Sequence, residues 1–190
     1  NRGSPKTTTT DGISVTLDTT PPTLSDVVLV STNAKDNTRH AKSGDDLTLT
    51  FSSSEAIPVP TVTLAGASVT ATDTSSGAQT SWQATYPVVD GDSGDVTFSI
   101  SYADPAGNTG ESKDESSVQN TITMDTTTPT LTLVKLKSNN SDNTSLAKAT
   151  ETVTLEFMSS EEIEDPSVLI NGVAATLTGY GTSWQATYPV

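Results

Sequence analysis

An eight-residue stretch occurs twice in this chain, letter for letter. Ser81-Trp82-Gln83-Ala84-Thr85-Tyr86-Pro87-Val88 returns as Ser183-Trp184-Gln185-Ala186-Thr187-Tyr188-Pro189-Val190. Trp82, Ala84, Tyr86 and Val88 alternate with Gln83, Thr85 and Pro87, a period of two that places the first set on one face of a β-strand. The two copies hold the only two tryptophans of the chain, one each. A large aromatic at the same place in each copy reads as the anchor of one core per repeat. The chain is therefore read as an array of like units.

The repeat reaches well beyond the octapeptide. Asp18-Thr19-Thr20-Pro21-Pro22-Thr23-Leu24 matches Asp125-Thr126-Thr127-Thr128-Pro129-Thr130-Leu131 at an offset of 107. Ala41-Lys42 and Leu47 to Phe51 match Ala147-Lys148 and Val153 to Phe157 at 106, and Trp82 matches Trp184 at 102. Loops that vary in length account for the drift, at small entropic cost. Asn1-Arg2-Gly3 aligns with Asn108-Thr109-Gly110, and Gly12 to Asp18 with Gln119 to Asp125. The expected organisation is the closing strand of a preceding unit over 1–18, a complete unit over 19–125 and most of a further unit over 126–190. A longer tandem protein is the expected parent of such a window.

Thr (36) and Ser (25) make up about a third of the 190 residues. Thr favours strands and Ser favours turns, and no segment sustains a 3.6-residue period, so the reading is all-β. The net charge of −14 argues against nucleic acid and against docking on anionic membranes, since both need a basic surface. There is no cysteine, which removes a disulfide scaffold, a thiolate zinc site and cysteine catalysis.

Taken in order, the strands run near Leu24 to Ser31, Asp46 to Ser52, Val62 to Leu64, Ala67 to Ala71, Ser81 to Val88, Val96 to Tyr102 and Ile122 to Met124. Inward positions include Val27, Leu29, Leu47, Leu49, Phe51, Trp82, Tyr86, Phe98 and Ile100. Ile13, Val15 and Leu17 alternate as the last strand of the preceding unit. Pro21 and Pro22 stiffen the junction by fixing φ and removing two donors. Asp90-Gly91-Asp92-Ser93-Gly94-Asp95 reads as a tight acidic turn. Seven short strands in about a hundred residues, with turns at regular spacing, predict a β-sandwich of immunoglobulin type, repeated in a linear array.

The junction Asp18-Thr19-Thr20-Pro21-Pro22, the strand exit Phe51-Ser52-Ser53-Ser54-Glu55 and the turn Asp104-Pro105-Ala106-Gly107-Asn108-Thr109 resemble bacterial-type Ig-like repeats of very large surface adhesins. Similar units occur in extracellular proteins of protists and algae. The resemblance covers 19–125 and 126–190. It implies an extracellular or cell-surface location and work as stalk, spacer or adhesion module. It also implies linkers that calcium stiffens in several such arrays.

No catalytic constellation stands out, and the chain is read as a non-enzyme. His40 is the only histidine, in a polar loop, and its match is Leu146. Carboxylates sit at turns rather than in an apolar pocket that would raise a pKa. Calcium is the cofactor to weigh, because it needs several hard oxygens at one place. Alternating strand directions would bring Asp18, Glu55, Asp104 and Asn108 to one end of the unit. The same reasoning gathers Asp90, Asp92, Asp95 and Asp125 at the other end, facing Glu161 of the next unit. Ordinary turn chemistry uses the same residue types, and both readings stand at this point. Asn139-Asn140-Ser141 and Asn143-Thr144-Ser145 are N-glycosylation sequons, so Asn139 and Asn143 are candidate glycan sites if the chain is secreted by a eukaryote.

The functional expectation is a non-catalytic extracellular spacer of a long surface protein. The alternative is a structural repeat of an extracellular filament that packs laterally. A glycan-binding module ranks below both, because the aromatics are spent on the core. The expected partners are neighbouring repeats of the same chain, then identical chains in a filament, or a surface receptor or glycan bound through other domains. Neither nucleic acid nor membrane insertion is expected of these residues.

Overall fold

The computed structural model describes residues 15–36, 39–114 and 121–190. Two compact units divide the chain, one ending at Thr126 and one running from Thr127 to Val190. Every described element is a strand, with no helix among the described residues, so no helix is long and apolar enough to cross a membrane.

The first unit contains β1 (Leu24–Ser31), β2 (His40–Ala41), β3 (Asp46–Ser53), β4 (Thr61–Leu64), β5 (Ala67–Asp73), β6 (Ser81–Pro87), β7 (Ser93–Asp95), β8 (Phe98–Ser101), β9 (Lys113–Asp114) and β10 (Thr123–Asp125). Seven of them form one sheet in the order β1-β3-β6-β5-β4-β8-β9, and β2-β10-β7 form a second. This departs from the seven strands expected. The three additions, β2, β7 and β9, are two or three residues long and lie where loops or turns were expected. Ser93 to Asp95 in particular are not all turn: they form a ladder with β10 (Thr123↔Asp95, Asp125↔Ser93), which satisfies backbone groups that a turn would leave to solvent.

The long sheet turns a corner within one strand. Ala71 to Asp73 of β5 pair with β6, while Ala67 to Thr70 pair with β4, so the sheet curls into a nearly closed barrel. The inward alternation behaves as the sequence predicts. On β3, Leu47, Leu49 and Phe51 are buried between half-buried Thr48 and Thr50. Across the ladder Phe51 faces Trp82 and Leu49 faces Ala84. Phe98 and Ile100 of β8 close the other side, each at most 2% exposed. Burying one such side chain stabilises the fold by roughly 1.5–3 kcal/mol. Ile57, which no alternation singled out, is fully buried from the loop after β3.

Val15 and Leu17, expected on a strand, are exposed and belong to no ladder, while Ile13 lies outside the described residues. A strand exists only with a pairing partner, and no described strand runs beside this stretch.

The second unit contains β11 (Leu131–Ser138), β12 (Thr152–Ser159), β13 (Leu169–Ile170), β14 (Val173–Ala174), β15 (Thr176–Tyr180) and β16 (Ser183–Pro189). A four-stranded sheet, β11-β12-β16-β15, repeats β1-β3-β6-β5, and β13-β14 form a hairpin matching β4-β5. The registers agree: Phe157 faces Trp184 as Phe51 faces Trp82, and Leu155 faces Ala186 as Leu49 faces Ala84. The indole N–H groups differ, since that of Trp184 donates to the Gly181 carbonyl at 3.0 Å while that of Trp82 is buried without a partner.

The matching hairpin turns carry a test of local strain. Asn171 and Gly172 take φ of 53° and 76°, and Ala65 and Gly66 take 52° and 76°. Two left-handed residues in a row suit an Asn-Gly turn, but an alanine there carries about 1–2 kcal/mol of strain. Ala65→Asn is therefore expected to stabilise the first unit by about 1 kcal/mol. A urea midpoint that stays level or falls would show that the turn is not strained.

Candidate functional site

At one end of the first unit three chain segments meet. Asp18 lies on the stretch leading into β1, where its Oδ1 accepts the Thr20 N–H at 3.1 Å. Glu55 lies at the exit of β3. The Ser53 hydroxyl donates to the Glu55 carbonyl at 2.6 Å, and Ser54 exchanges two hydrogen bonds with Thr23 (Thr23 N–H to Ser54 Oγ 3.0 Å, Ser54 N–H to Thr23 carbonyl 2.9 Å). The strand exit thus grips the incoming segment just after Asp18. Asp104 begins the turn between β8 and β9 and is 3% exposed. Its carboxylate accepts the Asn108 backbone N–H at 2.8 Å and the Asn108 side-chain amide at 2.7 Å.

One carboxylate oxygen each from Asp18, Glu55 and Asp104 lies within 4.8 Å of the others. Partial burial raises the Glu55 pKa first, and the charges of Asp18 and Asp104 push it further up. Burial also pushes Asp104 up, but its hydrogen bonds from Asn108, Gly107 and Ala106 outweigh that and hold it below the ordinary aspartate value. Among the described residues no lysine or arginine pairs with any of the three. Oxygens that each sit about 2.3–2.6 Å from one calcium ion can be no more than about 5 Å apart, so the spacing of the three fits such an ion. The signs of the pH dependence are opposite. Glu55, with a raised folded pKa, contributes stability below its unfolded value that is lost as pH rises through the folded one. Asp104, with a lowered folded pKa, contributes above its unfolded value and loses this as pH falls through the folded one.

Asn108, expected as a fourth oxygen ligand, has another part. Its amide nitrogen donates both to Asp104 and, at 3.2 Å, to the Asp18 carbonyl. Both neighbours are acceptors, so the nitrogen must face them, and Asn108 positions the group rather than adding an oxygen there.

The four aspartates expected at the other end do not form a comparable group among the described residues. Asp90 is exposed. Asp92 accepts the Tyr86 hydroxyl at 3.0 Å and the Val89 N–H at 2.9 Å, and Asp95 accepts the Thr123 hydroxyl at 2.7 Å. Asp125 sits opposite Ser93 in the short ladder. Local donors already occupy Asp92 and Asp95, which is turn and ladder chemistry. Glu161 belongs to the second unit; there the Ser159 hydroxyl donates to its carbonyl at 2.5 Å as Ser53 does to Glu55, and its Oε1 is buried without a partner.

Both sequon asparagines are exposed. Asn139 Oδ1 accepts the Thr152 N–H and Asn143 Oδ1 accepts the Ser145 N–H, each at 2.9 Å. The amide nitrogen, the atom a glycan would join, has no protein partner in either. His40 is exposed on β2.

A second repeated device escaped the sequence reading. Asp45 accepts the Asn33 amide at 3.1 Å and the Lys42 N–H at 2.9 Å; in the second unit Glu151 accepts the Asn140 amide at 3.1 Å and the Lys148 N–H at 2.8 Å. Its trace in the sequence is Ala-Lys followed three residues after the lysine by an acid, at Ala41-Lys42 with Asp45 and Ala147-Lys148 with Glu151. The carboxylate ties down the loop before β3 or β12, which makes it a structural clasp. The chain matches no protein-family model and no curated protein sequence.

Proposed function

We propose that this chain is a run of non-catalytic extracellular spacer modules, tandem Ig-like β-sandwiches from the stalk of a long, adhesin-like surface protein. The observation that carries this reading is the repeated grip on the incoming segment. Thr130 N–H donates to Ser160 Oγ at 3.0 Å and Ser160 N–H to the Thr130 carbonyl at 2.8 Å, as Thr23 and Ser54 do in the first unit. A module that clamps the segment leading into it can be strung in series without any ligand site of its own. The negative charge supports an isolated thread, since like-charged arrays repel one another along their sides.

In this reading Asp18, Glu55 and Asp104 hold a calcium ion that fastens the junction strand to the module. The ion would relieve the repulsion that raises Glu55, and solvent and backbone oxygens would complete its shell. On the order of millimolar calcium, the range of extracellular modules, is expected to raise the melting temperature of the first unit. Glu55→Gln should melt higher than the parent in chelator, because one repelling charge is gone, and should lose most of the response to calcium. Equal calcium responses in both proteins would dismiss the ion site. The spacer reading is tested by electron microscopy of the native assembly at the cell surface. Single beaded threads support it, whereas chains packed side by side at a regular rise would make the repeat a filament wall.

A further inference from the structure

The sheets of the two units repeat each other, but their outward faces differ. Residues opposite one another in an antiparallel ladder share a face. In the first unit one outward row across the sheet reads Ser25-Ser52-Ser81-Thr74. The same row of the second unit reads Leu133-Met158-Ser183-Tyr180. Three small polar side chains thus give way to two apolar ones and an aromatic. The next row changes from Val28-Thr50-Gln83-Thr72 to Lys135-Glu156-Gln185-Thr178. These rows point away from the core, so what covers the core has no bearing on them. The first unit, whose core is closed, leaves the same face open, with Ser25, Thr72 and Thr74 exposed.

The two rows of the second unit border an open groove of about 410 Å³, with Leu133, Met158, Ser183, Glu156, Gln185 and Thr178 as its outward lining. That volume lies within the range of small-molecule sites, about 300–1,000 Å³. Tyr180 flanks the groove and is 88% exposed, an aromatic that is not spent on the core, and Met158 is 41% exposed. Lys137 Nζ donates to Glu156 Oε1 at 2.6 Å, and the Gln185 amide donates to the same carboxylate. The Lys137 bond and charge hold the Glu156 carboxyl below its ordinary value, so it stays an acceptor at neutral pH. The Gln185 amide oxygen and the Thr178 and Ser183 hydroxyls add further acceptors and donors.

A sugar ring has the complementary chemistry, with an apolar C–H face and an edge of hydroxyls that both donate and accept. A second copy of the chain fits less well. The outward face of four strands, none longer than eight residues, covers roughly 500 Å². Each partner of a stable protein complex buries about 800 Å². We propose that the outward face of the β11-β12-β16-β15 sheet binds a short oligosaccharide. Tyr180, Met158 and Leu133 lie against its rings, and Glu156, Gln185 and Thr178 hold its hydroxyls. This site goes beyond the spacer role, which requires no ligand, so either can fail without the other.

The test applies the full chain to a printed array of neutral and acidic oligosaccharides. The glycan retained best is then titrated while amide chemical shifts are followed. The expected result is saturable binding with shifts along β12, β15 and β16 and none in the first unit. Tyr180→Ala and Glu156→Gln should each weaken binding at least about tenfold. A chain carrying Met158→Ser and Tyr180→Thr, the residues of the first unit, should lose binding and keep its melting temperature, since both side chains are exposed. Three outcomes would overturn the proposal: no glycan held better by the parent than by Tyr180→Ala, shifts confined to other surfaces, or self-association of the chain that Tyr180→Ala abolishes. The last would make a second copy the occupant.

Discussion

Trp82→Ala should unfold the first unit at a temperature lower by roughly 12 °C or more, taking about 3 kcal/mol as the least loss and about 4 °C for each kcal/mol. Trp82 is 2% exposed, faces Phe51 across the β3-β6 ladder and sits beneath the β8 side chains that close the core. Its removal leaves a cavity that the rigid ladders on either side cannot fill. Truncating a buried tryptophan costs about 3–5 kcal/mol, a large part of the stability of a domain of this size. Because the indole N–H has no partner, no hydrogen bond is lost, and Trp82→Phe should retain more of the stability than a hydrogen-bonded tryptophan would allow. Calorimetry would follow the first unit, and fluorescence of the remaining Trp184 would report the second. A first transition that does not move would remove Trp82 from its place as core anchor.

Gly110→Ala should loosen the junction itself. A Cβ at Gly110 would meet Tyr102 Cε2 at 2.2 Å, Tyr102 Cζ at 2.4 Å and the Pro22 carbonyl oxygen at 2.7 Å. Tyr102 is 6% exposed and Pro22 is buried, so neither has free space to retreat into. The Gly110 N–H also donates to the Tyr102 carbonyl at 3.1 Å, which holds the turn against β8. Either that bond opens or the segment carrying Pro22 lifts away. Overpacking of this kind costs about 1–3 kcal/mol or more. The segment that lifts also carries Asp18 and the Thr23–Ser54 grip, so the calcium response should weaken together with stability. Hydrogen exchange at the Thr23 amide, bonded to Ser54, tests this directly. An amide as protected as in the parent would mean that the clash is absorbed elsewhere.

With Asn108, the carboxylates of Asp18, Glu55 and Asp104 were legible as one set from strand counting, because each was expected beside the end of a strand and strand directions alternate, although Asp18 adjoins no strand among the described residues. Their oxygens do converge. The same counting grouped Asp90, Asp92, Asp95 and Asp125, but Tyr86 and Val89 engage Asp92, Thr123 engages Asp95, Asp125 lies opposite Ser93 in the β7-β10 ladder, and Asp90 is exposed. Counting strands gives the end of the module, but it does not say which hydrogen-bond donors lie nearer than the next carboxylate. Asn108 shows the limit at a single residue. Its presence at the site was legible, while its use as donor was set by two acceptors, Asp104 in its own turn and the carbonyl of Asp18 from a distant segment.

The sequence by itself determined the inward faces and the unit length. Alternation with period two dictates which side chains share a face, and two letter-for-letter octapeptides fold by the same local rules, so Trp82 and Trp184 meet Phe51 and Phe157 in the same register. Only the tertiary structure decided the corner in β5, the burial of Ile57 and the added ladders β2-β10-β7. These depend on which segments, far apart in the chain, compete for the same backbone donors and the same interior volume. That competition is settled by the packed whole and leaves no periodic trace in any single stretch.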